Sequence, residues 1–165
     1  MMKMEISQAH MKVFFDFTQY ANAVQDELHK ELDSIALDII NNIKLKMRNT
    51  KRSAKPTGKN GHRPSLPGAP PAPDGGRLIN SFEARRIGGI VEVGTNVEYA
   101  KYLQSGTKGG TIRVKKAKSL TNGVNFFGKE VQHPGIKARP FLEPGIADID
   151  FRARFAEAIQ RGFKQ

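Results

Sequence analysis

The stretch RPSLPGAPPAPDGGRLINSF, residues 63–82, decides how this 165-residue chain folds. It holds five prolines and three glycines, then runs without a break into Leu78, Ile79 and Phe82. As a linker it would separate two domains; as an arm it would belong to one. A helical pattern precedes it and strand patterns follow it, and neither half looks able to fold alone. A chain of this length is expected to be one domain that buries roughly 70% of its unfolded surface. The stretch is therefore expected to be an arm thrown out of a single domain. Proline has already restricted its φ angles, so less entropy is lost when it docks.

Ahead of the arm, Val24, Leu28, Leu32, Ile35, Ile39 and Ile43 recur at helical spacing within residues 19–48. They form the stripe of an amphipathic helix about 43 Å long. Thr18 offers an N-cap hydroxyl. Asp26, Glu27, Glu31 and Asp33 lie toward the start of the helix, and Lys44, Lys46 and Arg48 lie at its end, the order the macrodipole favours. MKVFFDF (11–17) reads as a strand and residues 1–10 as a flexible terminus. Residues 49–76 form a basic Pro/Gly-rich segment, too long for an ordinary connection.

Beyond the arm, residues 77–145 are β-rich. IVEV (90–93) is a strand entered through a Gly88-Gly89 turn. VEYAKYLQSGT (97–107) has a short helical pattern ended by Gly106. TIRVKK (111–116) and NFFGKEVQHP (125–134) form a hairpin over 111–133. GIKARPFLEPG (135–145) is extended, because each proline pushes its predecessor out of the helical region. Ile146, Phe151, Phe155, Ile159 and Phe163 mark a C-terminal helix over 146–163. The fold class is α+β: a long N-terminal helix and a C-terminal helix packed on an antiparallel sheet, with a long Pro/Gly-rich extended arm.

The chain carries a net charge of +11 with a pI near 10.0, which attracts polyanions. It has no cysteine, so disulfides and cysteine-ligated metals are excluded. No apolar run approaches the ~20 residues of a membrane span. The opening MMKMEISQAH lacks the apolar core of a signal peptide. The expected place of action is a cytoplasm, or a particle assembled in one. His10, His29, His62 and His133 show no metal-ligand spacing and read as solvated. The carboxylates of the first helix, Asp26, Glu27, Glu31, Asp33 and Asp38, read as a solvated face. Asp148 and Asp150 sit near the start of the last helix, where negative charge is favoured. No nucleophile motif or P-loop is present, and GTKGG (106–110) lacks the setting of a phosphate cradle. The expectation is no enzyme activity, no metal and no cofactor.

The sharpest physical signal is the basic run Lys44, Lys46, Arg48, Lys51, Arg52, Lys55, Lys59 and Arg63, with no Asp or Glu between Asp38 and Asp74. A second cluster, which includes Arg113, Lys115 and Lys116, lies on the hairpin beside Lys108 and Lys118. Both are candidate DNA-facing sets. Each phosphate neutralised adds about −0.9 to the salt slope. No helix-turn-helix, zinc finger or aromatic RNA platform is present, so sequence-specific readout is not expected.

Three stretches taken together, PGAPPAPDGGRLINSF (67–82), VEYAKYLQSGT (97–107) and IKARPFLEPGIAD (136–148), resemble the tail-component family of long-tailed bacteriophages. These are tail-completion or head–tail joining proteins, similar in role to the minor tail protein Z of phage lambda. The resemblance spans roughly residues 11–163. It departs from the family pattern at Gln104, where an acidic residue is common. It implies a virion structural protein assembled in the host cytoplasm: a homo-oligomeric ring, expected to be a hexamer, in the neck between tail and capsid, whose proline arm is ordered only when a neighbouring subunit receives it. The head connector and the tail terminator would be its partners, and phage DNA would pass through the lumen without being read. Leu66, Pro67, Pro70, Pro71, Leu78, Ile79, Tyr99, Tyr102, Phe141 and Leu142 are then candidate subunit-interface residues, the last four with a core role as the alternative. The competing readings are a nonspecific DNA-binding module acting off the virion, and a hydrolase carried in a tail.

Overall fold

The computed structural model describes residues 2–7, 10–15, 18–56, 61–115, 118–121 and 125–164. Its longest element is helix α1 (Thr18–Arg48), which no glycine or proline interrupts and whose last turn carries Lys46 and Arg48. The chain divides into two compact units where the sequence leads one to expect one domain. The first comprises Met1–Asp38, Ala84–Glu92 and Ile149–Gln165, and the second Ile39–Glu83 and Val93–Asp148. The division cuts across sequence order, so no single linker marks it.

In the first unit, β1 (Met2–Ser7) and β2 (His10–Phe15) pair antiparallel, from Met2↔Phe15 to Ser7↔His10. The terminus expected to be flexible is thus a strand. Met2, Met4 and Ile6 alternate with polar residues, which is the period of a strand. Asp150 caps the C-terminal helix, with its Oδ1 accepting from the Ala153 amide at 3.0 Å. The solvated acidic face expected on the first helix is not one. Glu27 and Glu31 are 7% and 8% exposed. Arg161 donates to Glu27 at 3.0 Å and to Glu31 at 2.6 Å. Arg154 donates to Glu31 at 2.5 Å, to the Ser34 hydroxyl at 2.7 Å and to Asp38. Arg86 binds Asp33 and donates to the His29 carbonyl at 3.0 Å.

The predicted stripe of the C-terminal helix is also displaced. Ala158 and Gly162 are buried and Phe151 and Phe155 half-buried, while Ile159 and Phe163 are exposed and Ile146 lies outside the helix, which begins at Phe151. Close backbone approach explains this: a Cβ on Gly162 would stand 2.4 Å from the Val24 Cα. Only small residues fit a contact that tight.

The core of the second unit gathers Ile40, Ile43 and Met47 of α1 with Leu78, Ile79, Phe82, Val97, Ala100 and Phe141. Phe82 and Phe141 meet edge to face at 5.4 Å between centroids, a preferred aromatic geometry. Strands β3 (Phe82–Ile87) and β4 (Ile90–Thr95) pair across the expected Gly88-Gly89 turn and run through both units. Two short helices follow in the second unit, α2 (Ala100–Ser105) and α3 (Leu142–Ile146), ahead of α4 (Phe151–Phe163) in the first. The stretch expected to be extended to residue 145 thus ends in a helix, whose first turn tolerates Pro144 because no amide donor is needed there, and the last helix starts at Phe151 and not at 146. Between α2 and α3, β5 (Gly110–Arg113) pairs with β8 (Glu130–His133), and β6 (Leu120–Thr121) with β7 (Phe126–Gly128). These are two tiers of one long hairpin.

The class is α+β, but the described ladders do not join into one antiparallel sheet under the helices. The hairpin strands are short and exposed at nearly every position, so they offer no apolar face for a helix to cover. The turn over residues 75–80, α2 and the segment before α3 supply much of the core in its place.

Candidate functional site

The basic run begins on the last turns of α1 and continues into a backbone ladder. Arg52 and Ser65 form an antiparallel bridge, the Ser53 amide donates to the Pro64 carbonyl at 2.7 Å, and the Leu66 amide donates to the Lys51 carbonyl at 3.1 Å. The Thr50 hydroxyl reaches the Pro70 carbonyl at 2.9 Å. The proline-rich return therefore lies antiparallel beside the basic exit from the helix. Lys51, Arg52, Lys55 and Arg63 are all exposed on this ladder. Among the described residues, Lys44, Arg48, Lys51, Arg52, Lys55 and Arg63 have no carboxylate partner, whereas Lys46 meets Asp148 at 2.6 Å. On the hairpin, Arg113 is held by Glu130 at 3.0 Å and Lys115 is exposed. Lys59 and Lys116 lie outside the described residues. The helix end and the ladder it runs into thus carry seven of the eight residues of the first predicted set, four of them on the ladder. The second sits apart from it on another element.

The arm is not free to leave. The Gly68 amide donates to the Ala138 carbonyl at 3.0 Å, and Arg139 Nε donates to the Ser65 carbonyl at 3.3 Å. Pro71 is buried and Pro70 is half-buried. The arm closes in cis over a cavity of about 240 Å³ lined by Met47, Leu78, Ile79, Leu103 and Arg139, with His62 and Asp74 3.7 Å apart at its edge. The expectation of an arm ordered only by a neighbour is corrected by its own backbone. Proline-rich chain retains its carbonyl acceptors, and here a strand edge and a guanidinium satisfy them.

The candidate interface residues divide accordingly. Leu78, Ile79 and Phe141, at 6%, 5% and 3% exposure, are spent in the core of their own unit and present nothing to a neighbour. Leu142 is half-buried against that core. Leu66, Pro67, Tyr99 and Tyr102 remain exposed. Of these, Tyr102 lies under the Lys101 ammonium, 5.0 Å from its ring centroid.

The structure brings residues 67–82, 97–107 and 136–148 together. Thr107 and Ile136 exchange backbone hydrogen bonds of 2.8 and 3.1 Å, and the Arg139 amide donates to the Leu103 carbonyl at 2.7 Å. Gly106, at φ +72°, permits the crossing: a Cβ there would stand 2.6 Å from the Ile136 carbonyl oxygen. Gln104 is the hub. Its Oε1 accepts from the Phe141 and Leu142 amides at 3.0 and 3.4 Å, and its Nε2 donates to Glu143 at 2.6 Å. Hydrogen bonds from Glu143's own backbone and from Gln104 hold the Glu143 carboxyl below its ordinary value. An acid at position 104 would face that carboxylate, so the amide here is chemically matched to its partner.

Sequence reasoning missed the His62–Asp74 pair, the Gln104 hub and the arginine network of the first unit. The last had a signal. Glu27 and Glu31 are four apart and Arg154 and Arg161 seven apart, spacings that place each pair on one helical face. Among the described residues no group of three or more His, Asp or Glu side chains is placed to hold a metal ion, and no helix is long and apolar enough to cross a membrane. No protein-family model, curated protein or solved structure matches this chain.

Proposed function

We propose that this chain is a virion structural protein: a subunit of the neck ring that completes a phage tail, joins it to the capsid and surrounds the DNA path. The observation that carries the reading is the knot in the second unit. The three stretches whose order resembles the tail-completion family are tied there by Gly68–Ala138, Arg139–Leu103, Thr107–Ile136 and the Gln104 hub. A ring requires a heterologous interface repeated about an axis, and exposed Leu66, Tyr99 and Tyr102 are available for it. The six free cations of the helix end and ladder suit a DNA path, because contacts to phosphate position a duplex without reading it. Mass photometry and negative-stain imaging of the purified chain test this, alone and mixed with a head connector or tail terminator. Closed rings, hexameric in the reading above, are expected. A strict monomer alone and in both mixtures refutes it.

A second reading, a nonspecific DNA-binding module acting off the virion, is favoured by the same unpaired cations. Duplex titrations at two salt concentrations separate the two. Tight binding by free monomers that collapses with salt, with no assembly, replaces the ring.

A further inference from the structure

The cavity under the proline arm is lined entirely by the second unit, and no role above uses it. Its volume of about 240 Å³ lies below the roughly 300–1,000 Å³ of sites for drug-sized ligands, yet about 150 Å³ suffices for a benzene ring. Its floor is apolar, made by Met47, Leu78, Ile79 and Leu103. Arg139 stands half-buried in this lining and is fixed from both ends. Its amide donates to the Leu103 carbonyl at 2.7 Å and its Nε to the Ser65 carbonyl at 3.3 Å. A guanidinium carries five N–H donors, and of these only the one on Nε finds an acceptor among the described residues. Ser65, in the same lining, is 2% exposed, yet its hydroxyl reaches only the Ala69 carbonyl, at a long 3.5 Å. The other ionisable groups at hand are His62 and Asp74, which face each other 3.7 Å apart, with the Asp74 side chain 65% exposed. Asp74 thus answers the imidazole and not the guanidinium.

We propose that this cavity binds a small organic monocarboxylate whose apolar body is about the size of one ring. The proposal goes beyond the ring-subunit reading and does not depend on it. The carboxylate meets the terminal nitrogens of Arg139, whose planar fork matches it in a bidentate pair. The Ser65 hydroxyl is a further donor in the same lining. The apolar body covers a floor on which water finds few partners. Charge selects the anion: a guanidinium drawn partly out of water without a counter-ion is unfavourable, and a cationic ligand would be repelled by it. Volume selects the size. A nucleotide has no room, and a bare inorganic anion leaves the floor uncovered.

Benzoate is the probe, with benzamide as its neutral isostere and inorganic phosphate as the bare anion. Each is titrated into the full chain and followed by NMR of the methyl groups. Benzoate is expected to shift the resonances of Leu78, Ile79 and Leu103 saturably. Benzamide is expected to bind about tenfold more weakly or worse, the loss that follows when a charged hydrogen-bond partner becomes neutral. Arg139→Gln keeps a donor for the Ser65 carbonyl and should bring benzoate down to the affinity of benzamide. Ala72→Leu enlarges a side chain of the cavity wall, leaves Arg139 in place and should abolish the binding of both. It reports even where Arg139→Gln fails to fold, and the comparison of benzoate with benzamide needs no variant at all. No saturable shift with benzoate at millimolar concentration overturns the site. Equal affinity for benzoate and benzamide overturns the choice of an anion. Shifts confined to exposed Lys51 and Lys55 mark general attraction to a chain of net charge +11 and also overturn the site. Phosphate binding as tightly as benzoate overturns the apolar body. None of these results touches the ring reading, which assembly assays decide.

Discussion

Replacing Gly162 by alanine in the interior of a helix normally stabilises it, by up to ~1 kcal/mol. Here the opposite is expected. The added methyl would lie 2.4 Å from the Val24 Cα and 2.8 Å from its amide nitrogen, against ordinary contacts of 3.4–4 Å. The obstructing atoms are backbone and cannot rotate away, so α4 must retreat from α1 by about 1 Å, the shortfall between those distances. Retreat opens space around Ala158, which is fully buried, and stretches the 2.5–3.0 Å bonds of Arg154 and Arg161 to Glu31 and Glu27. Overpacking of this kind costs about 1–3 kcal/mol, and the propensity gain is small because Gly162 is one residue from the helix end. Urea unfolding followed by circular dichroism reads the net loss, and hydrogen exchange over residues 151–163 localises it. Gly94→Ala is the control. Its methyl enters open space, and its stability should stay within about 0.5 kcal/mol of wild type or rise slightly. A Gly162→Ala protein as stable as wild type would refute the tight packing of the two helices.

Gln104→Glu sets two carboxylates against each other across the present 2.6 Å contact. The variant should lose stability at pH 7 and recover part of it near pH 4, where one carboxyl is protonated and donates again; equal loss at both pH values would count against the hub. Burial pushes the Glu31 carboxyl up, but hydrogen bonds from Arg161 and Arg154 outweigh it, and the folded value lies below the ordinary 4.5. A lowered folded value means that this contribution is full above pH 4.5 and is lost as pH falls through the folded value. Exchange protection of α4 should therefore drop on acidification, and Glu31→Gln should flatten that dependence while costing about 1–3 kcal/mol at pH 7. In duplex titrations, Lys51→Ala, Arg52→Ala and Lys55→Ala together should reduce the salt slope by about 0.9 for each cation that meets a phosphate. An unchanged slope removes the ladder from the DNA path.

Much of the local structure was legible. The 3.6-residue recurrence from Val24 to Ile43 marked α1 and the glycine pair marked the β3–β4 turn, whereas the C-terminal helix, read as starting at Ile146, begins at Phe151 behind the Asp150 cap. The paired tiers at 110–113 with 130–133 and at 120–121 with 126–128 match the hairpin read at 111–133 to within one residue. The candidate site was legible in part. The basic run was plain, but Lys46 gives no sign in sequence that Asp148 will take it.

Periodicity, caps and turn residues act between neighbours a few positions apart, so the sequence by itself determined α1, α2, most of α4, the β3–β4 turn, the hairpin over 111–133 and the excess of positive charge, but not β1 or α3. Tertiary structure alone decided that the proline arm folds back in cis, because its anchors Arg139 and Ala138 lie some seventy positions from Ser65 and Gly68. It alone buried Glu27 and Glu31 of an apparently solvated acidic face, against arginines more than 110 residues away. A local pattern states which side chains share a face. Which face finds a partner depends on long-range packing, where desolvating a carboxylate is tolerated only if a guanidinium arrives with it.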